Sequence, residues 1–144
     1  MIRSLILAAA LLGLAAPATA QAPVPNAMRC TVPGGGPTMN FGYDRAAGVA
    51  LIVDAGKVDR QAVLFDANGF RSVGSTTDGQ DAYFMAFDEK KSELSFSHFK
   101  PTAEEHAELQ RDNNTVARQT TLVPKYAGHA FDQVHVLTCT RPGA

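Results

Sequence analysis

A chain of 144 residues carrying 13 basic and 14 acidic side chains has a net charge of −1, with both signs interspersed along its length. That balance excludes the basic runs that grip phosphate backbones and the basic amphipathic helices that lie on anionic membranes. Neither nucleic acid nor a membrane surface is an expected partner.

In chain order, residues 1–20 read as a secretory signal peptide. Arg3 supplies the positive start, Leu5 to Ala16 is apolar apart from Gly13, and Pro17 breaks the helix. Ala18-Thr19-Ala20 then presents the small-x-small pattern of a cleavage site. The apolar run is shorter than the roughly 20 residues a spanning helix needs, and no second run follows it. No cysteine ends the run for lipidation, and no Arg-Arg pair marks twin-arginine export. The expectation is an exported protein, periplasmic or secreted, with no membrane insertion after cleavage. Cleavage leaves 124 residues and a net charge of −2, enough for one domain with a single core. Residues 21–27, QAPVPNA, form a Pro-rich lead-in expected to be a mobile tether, and 28–144 form the domain.

Two cysteines remain, Cys30 and Cys139, near the two ends of the exported chain. Exported thiols meet oxidising conditions, and two cysteines permit one pairing, so a structural Cys30–Cys139 disulfide is predicted. A catalytic pair would be expected as Cys-x-x-Cys, which is absent.

From Met28 onward, segments of five to eight residues rich in β-branched and aromatic side chains are punctuated by Gly, Asp or Asn, the pattern of short strands. Strands are predicted at Met28–Val32, Thr38–Asp44, Val49–Asp54, Gln61–Asp66, Phe70–Thr76, Ala82–Asp88, Glu93–Lys100, Thr115–Val123 and Gln133–Thr140. Gly34-Gly35-Gly36 between two prolines is a turn, lacking the helix and Lys-Ser/Thr of a phosphate loop. Asn68-Gly69 is a turn that supplies positive φ cheaply. Thr102 and Glu105 have capping-box spacing ahead of good helix formers, which predicts one short helix near 102–113. The fold class is therefore mainly β, an antiparallel meander closing toward a small barrel or a sandwich. A Cys30–Cys139 bond favours closure, because it brings the first and last strands within about 6 Å.

Candidate chemistry is sparse. His98, His106, His129 and His135 fit no zinc-ligand spacing, so no metal site is predicted. Asp54, Asp59, Asp66, Asp78, Asp81 and Asp88 lie at strand ends or in turns, where Asp is favoured for local backbone hydrogen bonds. No nucleophile motif is present and no cofactor is expected. Asn113-Asn114-Thr115 matches a glycosylation sequon, read as incidental beside an Ala-rich, bacterial-style signal.

The frame Met28-Arg29-Cys30-Thr31-Val32, the strand Met39–Tyr43 and Cys139 resembles the small periplasmic lysozyme-inhibitor barrels of the C-type inhibitor family. The resemblance implies a barrel. That family's inhibitory loop carries a Ser-Gly-x-x-Tyr-like stretch, usually near a Trp. The corresponding segment here is Phe70-Arg71-Ser72-Val73-Gly74-Ser75-Thr76, and the chain has no Trp, so no inhibitory residue carries over. The leading functional expectation is a non-enzymatic domain that binds an envelope protein or small ligand. An enzyme using scattered groups, such as His98 with a turn aspartate, is the second reading. A carrier of small apolar ligands, its cavity lined by Phe41, Tyr83, Phe84, Phe87, Phe96 and Phe99, is the third.

Overall fold

The structure, a computed structural model, describes residues 23–36, 38–75, 80–111 and 114–142. The signal peptide, Asp78 and Asn113 lie outside the described residues. Among the described residues there are nine strands: β1 Met28–Thr31, β2 Thr38–Asp44, β3 Val49–Asp54, β4 Lys57–Ala62, β5 Leu64–Asp66, β6 Gly69–Ser75, β7 Ala82–Asp88, β8 Glu93–Phe99 and β9 Gln133–Thr140. They form one antiparallel sheet in the order β4-β3-β2-β1-β9-β8-β7-β6-β5.

The two edge strands, β4 and β5, are consecutive in the chain and separated by Val63 alone. Side chains alternate across the break, with Val63 and Phe65 packed into the same interior cluster. β4 and β5 are therefore one bent strand, its first part paired with β3 and its second with β6. Counted so, the chain makes eight passes. An even number lets a meander close first to last in antiparallel sense, as β1 and β9 do here. The sheet is a nearly closed barrel, which resolves the choice between barrel and sandwich.

Cys30 and Cys139 sit directly opposite each other on β1 and β9, and they form the predicted disulfide with Cα atoms 4.0 Å apart. The bond closes a loop spanning 109 positions. In the chain-entropy model such a bond contributes about 4.7 kcal/mol by restricting the unfolded chain.

β1, β3, β6 and β8 run toward one end of the barrel, called the mouth, and the other strands run away from it. At the far end the interior is packed solid. Phe41, Tyr43, Phe65, Phe70 and Phe87 interlock with ring centroids 5.1–6.4 Å apart. The Tyr43 hydroxyl donates to Glu89 Oε1 at 2.5 Å, and Arg45 lies over the Phe65 ring while bonding the Asp66 carbonyl. Burial, then the Glu89 carboxylate, pushes the Tyr43 phenol up to about 12. Three turns at this end are held by aspartates whose side chains accept backbone N–H bonds: Asp44 from Ala47, Asp66 from Asn68 and Gly69, and Asp88 from Lys90 and Lys91.

Two helices separate β8 from β9: α1 Ala103–Gln110 and α2 Val116–Tyr126. The expected capping box of Thr102 and Glu105 opens α1. The predicted strand Thr115–Val123 is instead α2. Its Val and Thr residues are β-formers, but Gln119, Leu122, Val123 and Tyr126 fall at i, i+3, i+4 and i+7 and are its buried residues. Thr115 caps the first turn by accepting from the Arg118 N–H. Together the helices cover the outer face of β6 to β8, where Val73, Ala82, Phe84 and Phe99 pack against Leu109, Leu122, Val123 and Tyr126.

Two other expectations are corrected. The strand predicted to begin at Gln61 begins at Lys57, after a two-residue turn in which Ala55 and Gly56 both have positive φ. The lead-in, expected to be a mobile tether, is hydrogen-bonded to β2 at Pro25 and Asn26: the Pro25 carbonyl accepts from the Tyr43 N–H at 3.0 Å, and Asn26 donates to the Tyr43 carbonyl. A Cβ at residue 42 would overlap Val24 and the Pro25 carbonyl, so Gly42 is what lets the lead-in lie against β2.

All three tyrosines, Tyr43, Tyr83 and Tyr126, have phenols raised above 10, in each case mainly by burial. The native state therefore keeps protons that the unfolded chain releases near pH 10. Stability is full below that pH and falls as pH rises through the native values. Absorbance titration at 295 nm is expected to show native phenolate lagging that of the guanidinium-unfolded chain, with the Tyr43 step near pH 12 and absent in Tyr43→Phe. Native and unfolded curves that superimpose would contradict this packing.

Candidate functional site

Bending one strand across two partners leaves a seam. β5 pairs with β6 as far as Leu64 opposite Arg71. Beyond it the chain turns away to β3, and the backbone groups of Val73 have no strand beside them. Gln119 of α2 takes the strand's place: its Oε1 accepts from the Val73 N–H and its Nε2 donates to the Val73 carbonyl, both at 3.0 Å. Asn114, just before α2, does the same for β4. It accepts from the Ala62 N–H at 2.6 Å and donates to the Arg60 carbonyl at 3.0 Å. Unpaired buried backbone groups cost about 1–3 kcal/mol each, so these two amides are the reason the seam is tolerated.

On the interior side the seam is crossed by Gln61, whose Nε2 donates to the Tyr83 hydroxyl at 2.6 Å and to Ser72 Oγ at 2.9 Å. Tyr83 reaches Gln61 because it pairs with Gly74, where a Cβ would stand 2.7 Å from the Tyr83 hydroxyl and 3.0 Å from its ring. Between the strands is a polar cleft of about 320 Å³, lined by Gln61, Gly74, Tyr83, Asn114 and Gln119, with Asp59 and Arg60 at its rim.

The opposite wall of the mouth is apolar. Val32 of the β1–β2 connection, Met39 of β2, Phe96 of β8 and Leu137 of β9 line a cup of about 500 Å³, bordered by Gly35 and Gly36. Val32, Met39 and Phe96 rest on the main core yet stay only partly buried. His98 and His135 complete the cup, their rings edge to face with centroids 5.8 Å apart. The glycine turn thus borders a binding-sized cavity, within the roughly 300–1,000 Å³ of small-molecule sites.

The residues weighed in the sequence are scattered by the fold. His98 and His135 come together at the mouth. His129 packs on Phe99 and lies 3.7 Å from Glu105, while His106 is on α1. Asp66 and Asp88 hold turns at the end of the barrel far from His98. Asp81, by contrast, lines a cavity of about 270 Å³ together with His98, Lys100 and Asp132. Among the described residues, no three His, Cys, Asp or Glu side chains converge as metal ligands would. No helix of the described residues is long and apolar enough to cross a membrane. Of the aromatic set proposed to line a cavity, Phe96 lines the cup and Tyr83 the cleft. Phe41 and Phe87 are locked in the far-end core, and Phe84 and Phe99 lie outside the barrel under the helices. Outward pointing is a matter of strand parity that the alternating aromatic runs left undecided.

Met39, Leu137, Gln61 and Gln119 had no motif to mark their roles, and the sequon match that contains Asn114 has no bearing on its bonds to β4. Their roles come from register and from contacts 11 to 54 positions apart in sequence. No family model, no curated protein and no solved structure matches this chain.

Replacing Gln119 with Leu strands both Val73 backbone groups. It is expected to lower unfolding free energy by about 2–4 kcal/mol in urea denaturation. Gln110→Ala, which removes an exposed bond to Ser75, should change it by less than about 0.5 kcal/mol. Equal effects from the two substitutions would show that Gln119 does not close the seam.

Proposed function

We propose that this chain is an exported, non-enzymatic binding protein that seats a small apolar ligand in the mouth of its barrel. The observation that carries the reading is the apolar cup: Val32, Met39, Phe96 and Leu137 turn into the barrel yet enclose about 500 Å³ that no side chain fills. Apolar surface left open to water costs about 25 cal/mol per Å², so a ligand that covers it gains that free energy. The solid packing at the far end gives the cup a rigid floor, and the disulfide between β1 and β9 fixes the wall that carries Val32 and Leu137. A rigid, preformed cup lowers the ordering cost of binding.

Export rests on the N-terminal sequence. The buried disulfide fits an oxidising compartment, where the periplasm or the cell exterior would hold it. Lysozyme inhibition forms no part of the proposal, because β6 and its flank carry none of that family's inhibitory residues.

The test uses N-phenyl-1-naphthylamine, a neutral apolar probe that brightens when it leaves water. The protein is expected to bind it saturably at one site. Met39→Glu, which places a carboxylate in the cup, should weaken binding by about tenfold or more while far-UV circular dichroism stays unchanged. Absence of saturable binding by the native protein would overturn the reading.

A further inference from the structure

The inner surface of the mouth is divided by chemistry. The wall formed by β1, β2, β8 and β9 is mainly apolar, through Val32, Met39, Phe96 and Leu137, with Thr38, His98 and His135 also lining it. The wall formed by β4, β6 and β7 presents Gln61, Ser72 and Tyr83. Tyr83 joins the two: its ring lies 6.0 Å from that of Phe96, centroid to centroid, and it stands opposite His98 in the β7–β8 ladder, while its hydroxyl is in the polar cleft.

This polar wall is not fully spent on closing the seam. Gln61 uses both amide protons on Ser72 and Tyr83, which leaves its Oε1 as an acceptor with no hydrogen-bond partner among the described residues. Tyr83 accepts from Gln61 and keeps its own proton to donate. An acceptor and a donor therefore stand side by side in the cleft, one aromatic ring away from the cup, since the Tyr83 ring packs against that of Phe96. Exchanging the amide oxygen and nitrogen reverses which residue donates and leaves the pair just as complementary. Both groups are uncharged, and the nearest charges of the cleft, Asp59 and Arg60, are exposed at its rim with opposite sign. An ionised head would lose its hydration here and meet only the solvent-screened charges of Asp59 and Arg60, whereas a hydroxyl or primary amide both donates and accepts.

We infer that the ligand of this site is an amphiphile with an uncharged hydroxyl or amide head, its tail in the cup and its head between Gln61 and Tyr83. The inference rests on the apolar-ligand reading above and adds the head group to it. Gly74 belongs to the same device, since the missing Cβ is what lets Tyr83 lie across β6 and hold its hydroxyl at the seam.

Displacement of N-phenyl-1-naphthylamine from the purified protein by 1-decanol, decanoate and decyltrimethylammonium tests it, because the three share one tail and differ in the head. Decanol is expected to displace the probe at a concentration about tenfold lower than either ion. Tyr83→Phe should remove most of that advantage, as should Gln61→Met, each read as the ratio of decanol to decanoate displacement within the same variant. Equal displacement by the three compounds, or an unchanged decanol advantage in both variants, would overturn the head-group assignment and leave the cup standing. If the native protein bound no probe, the cup itself would fall and this inference with it.

Discussion

A sheet that closes on itself has to deal with its last edge, and here that edge is the bend at Val63. One strand serves two neighbours, β3 before the bend and β6 after it, and cannot satisfy the whole length of either. The shortfall is met by side chains: Gln119 beside Val73, and Asn114 beside Ala62 and Arg60. Much else follows from this. The helical excursion between β8 and β9 must lie over β5 and β6, because it carries the two amides. Val73, Phe84 and Phe99 are buried outside the barrel because α1 and α2 lie there. Gln61 and Tyr83 meet across the gap, which makes one inner wall polar.

The first and last strands are joined by a different device. The Cys30–Cys139 bond ties them at one level of the barrel, next to the hydrophobic far-end core. Below that level aromatic rings fill the interior, and above it the interior is left open. A barrel of eight passes is just wide enough for its own side chains to fill or for one small ligand. This chain does the first at one end and leaves room for the second at the other. Half-filling suits a rigid receptor: the packed end supplies stability, and the open end keeps apolar surface in contact with solvent.

Most of the strand pattern was legible because the period-two alternation is strong. Met39, Phe41 and Tyr43 face inward together, as do Tyr83, Met85 and Phe87. The disulfide was legible because two cysteines allow one pairing. Helix α2 was not, since its sequence VARQTTLVPKY is rich in β-branched residues, has a proline inside it and buries a glutamine. Gln119 reads as polar and surface-exposed, yet it is 1% exposed because its amide replaces a strand. The site was even less visible. The cup joins residues of β1, β2, β8 and β9, and the cleft joins β4, β6, β7 and α2. No local spacing records such neighbours; they follow from the bend and the register.

Hydrogen exchange of individual amides tests the seam most directly. Arg71 is paired with Leu64 in the β5–β6 ladder, while Ala62 and Val73 depend on side-chain amides for their partners. If Asn114 and Gln119 stand in for the missing strand, the Val73 and Ala62 amides will be protected to within about tenfold of Arg71. Exchange of both at nearly unprotected rates, with Arg71 still slow, would mean an open seam and contradict this account of how the barrel closes.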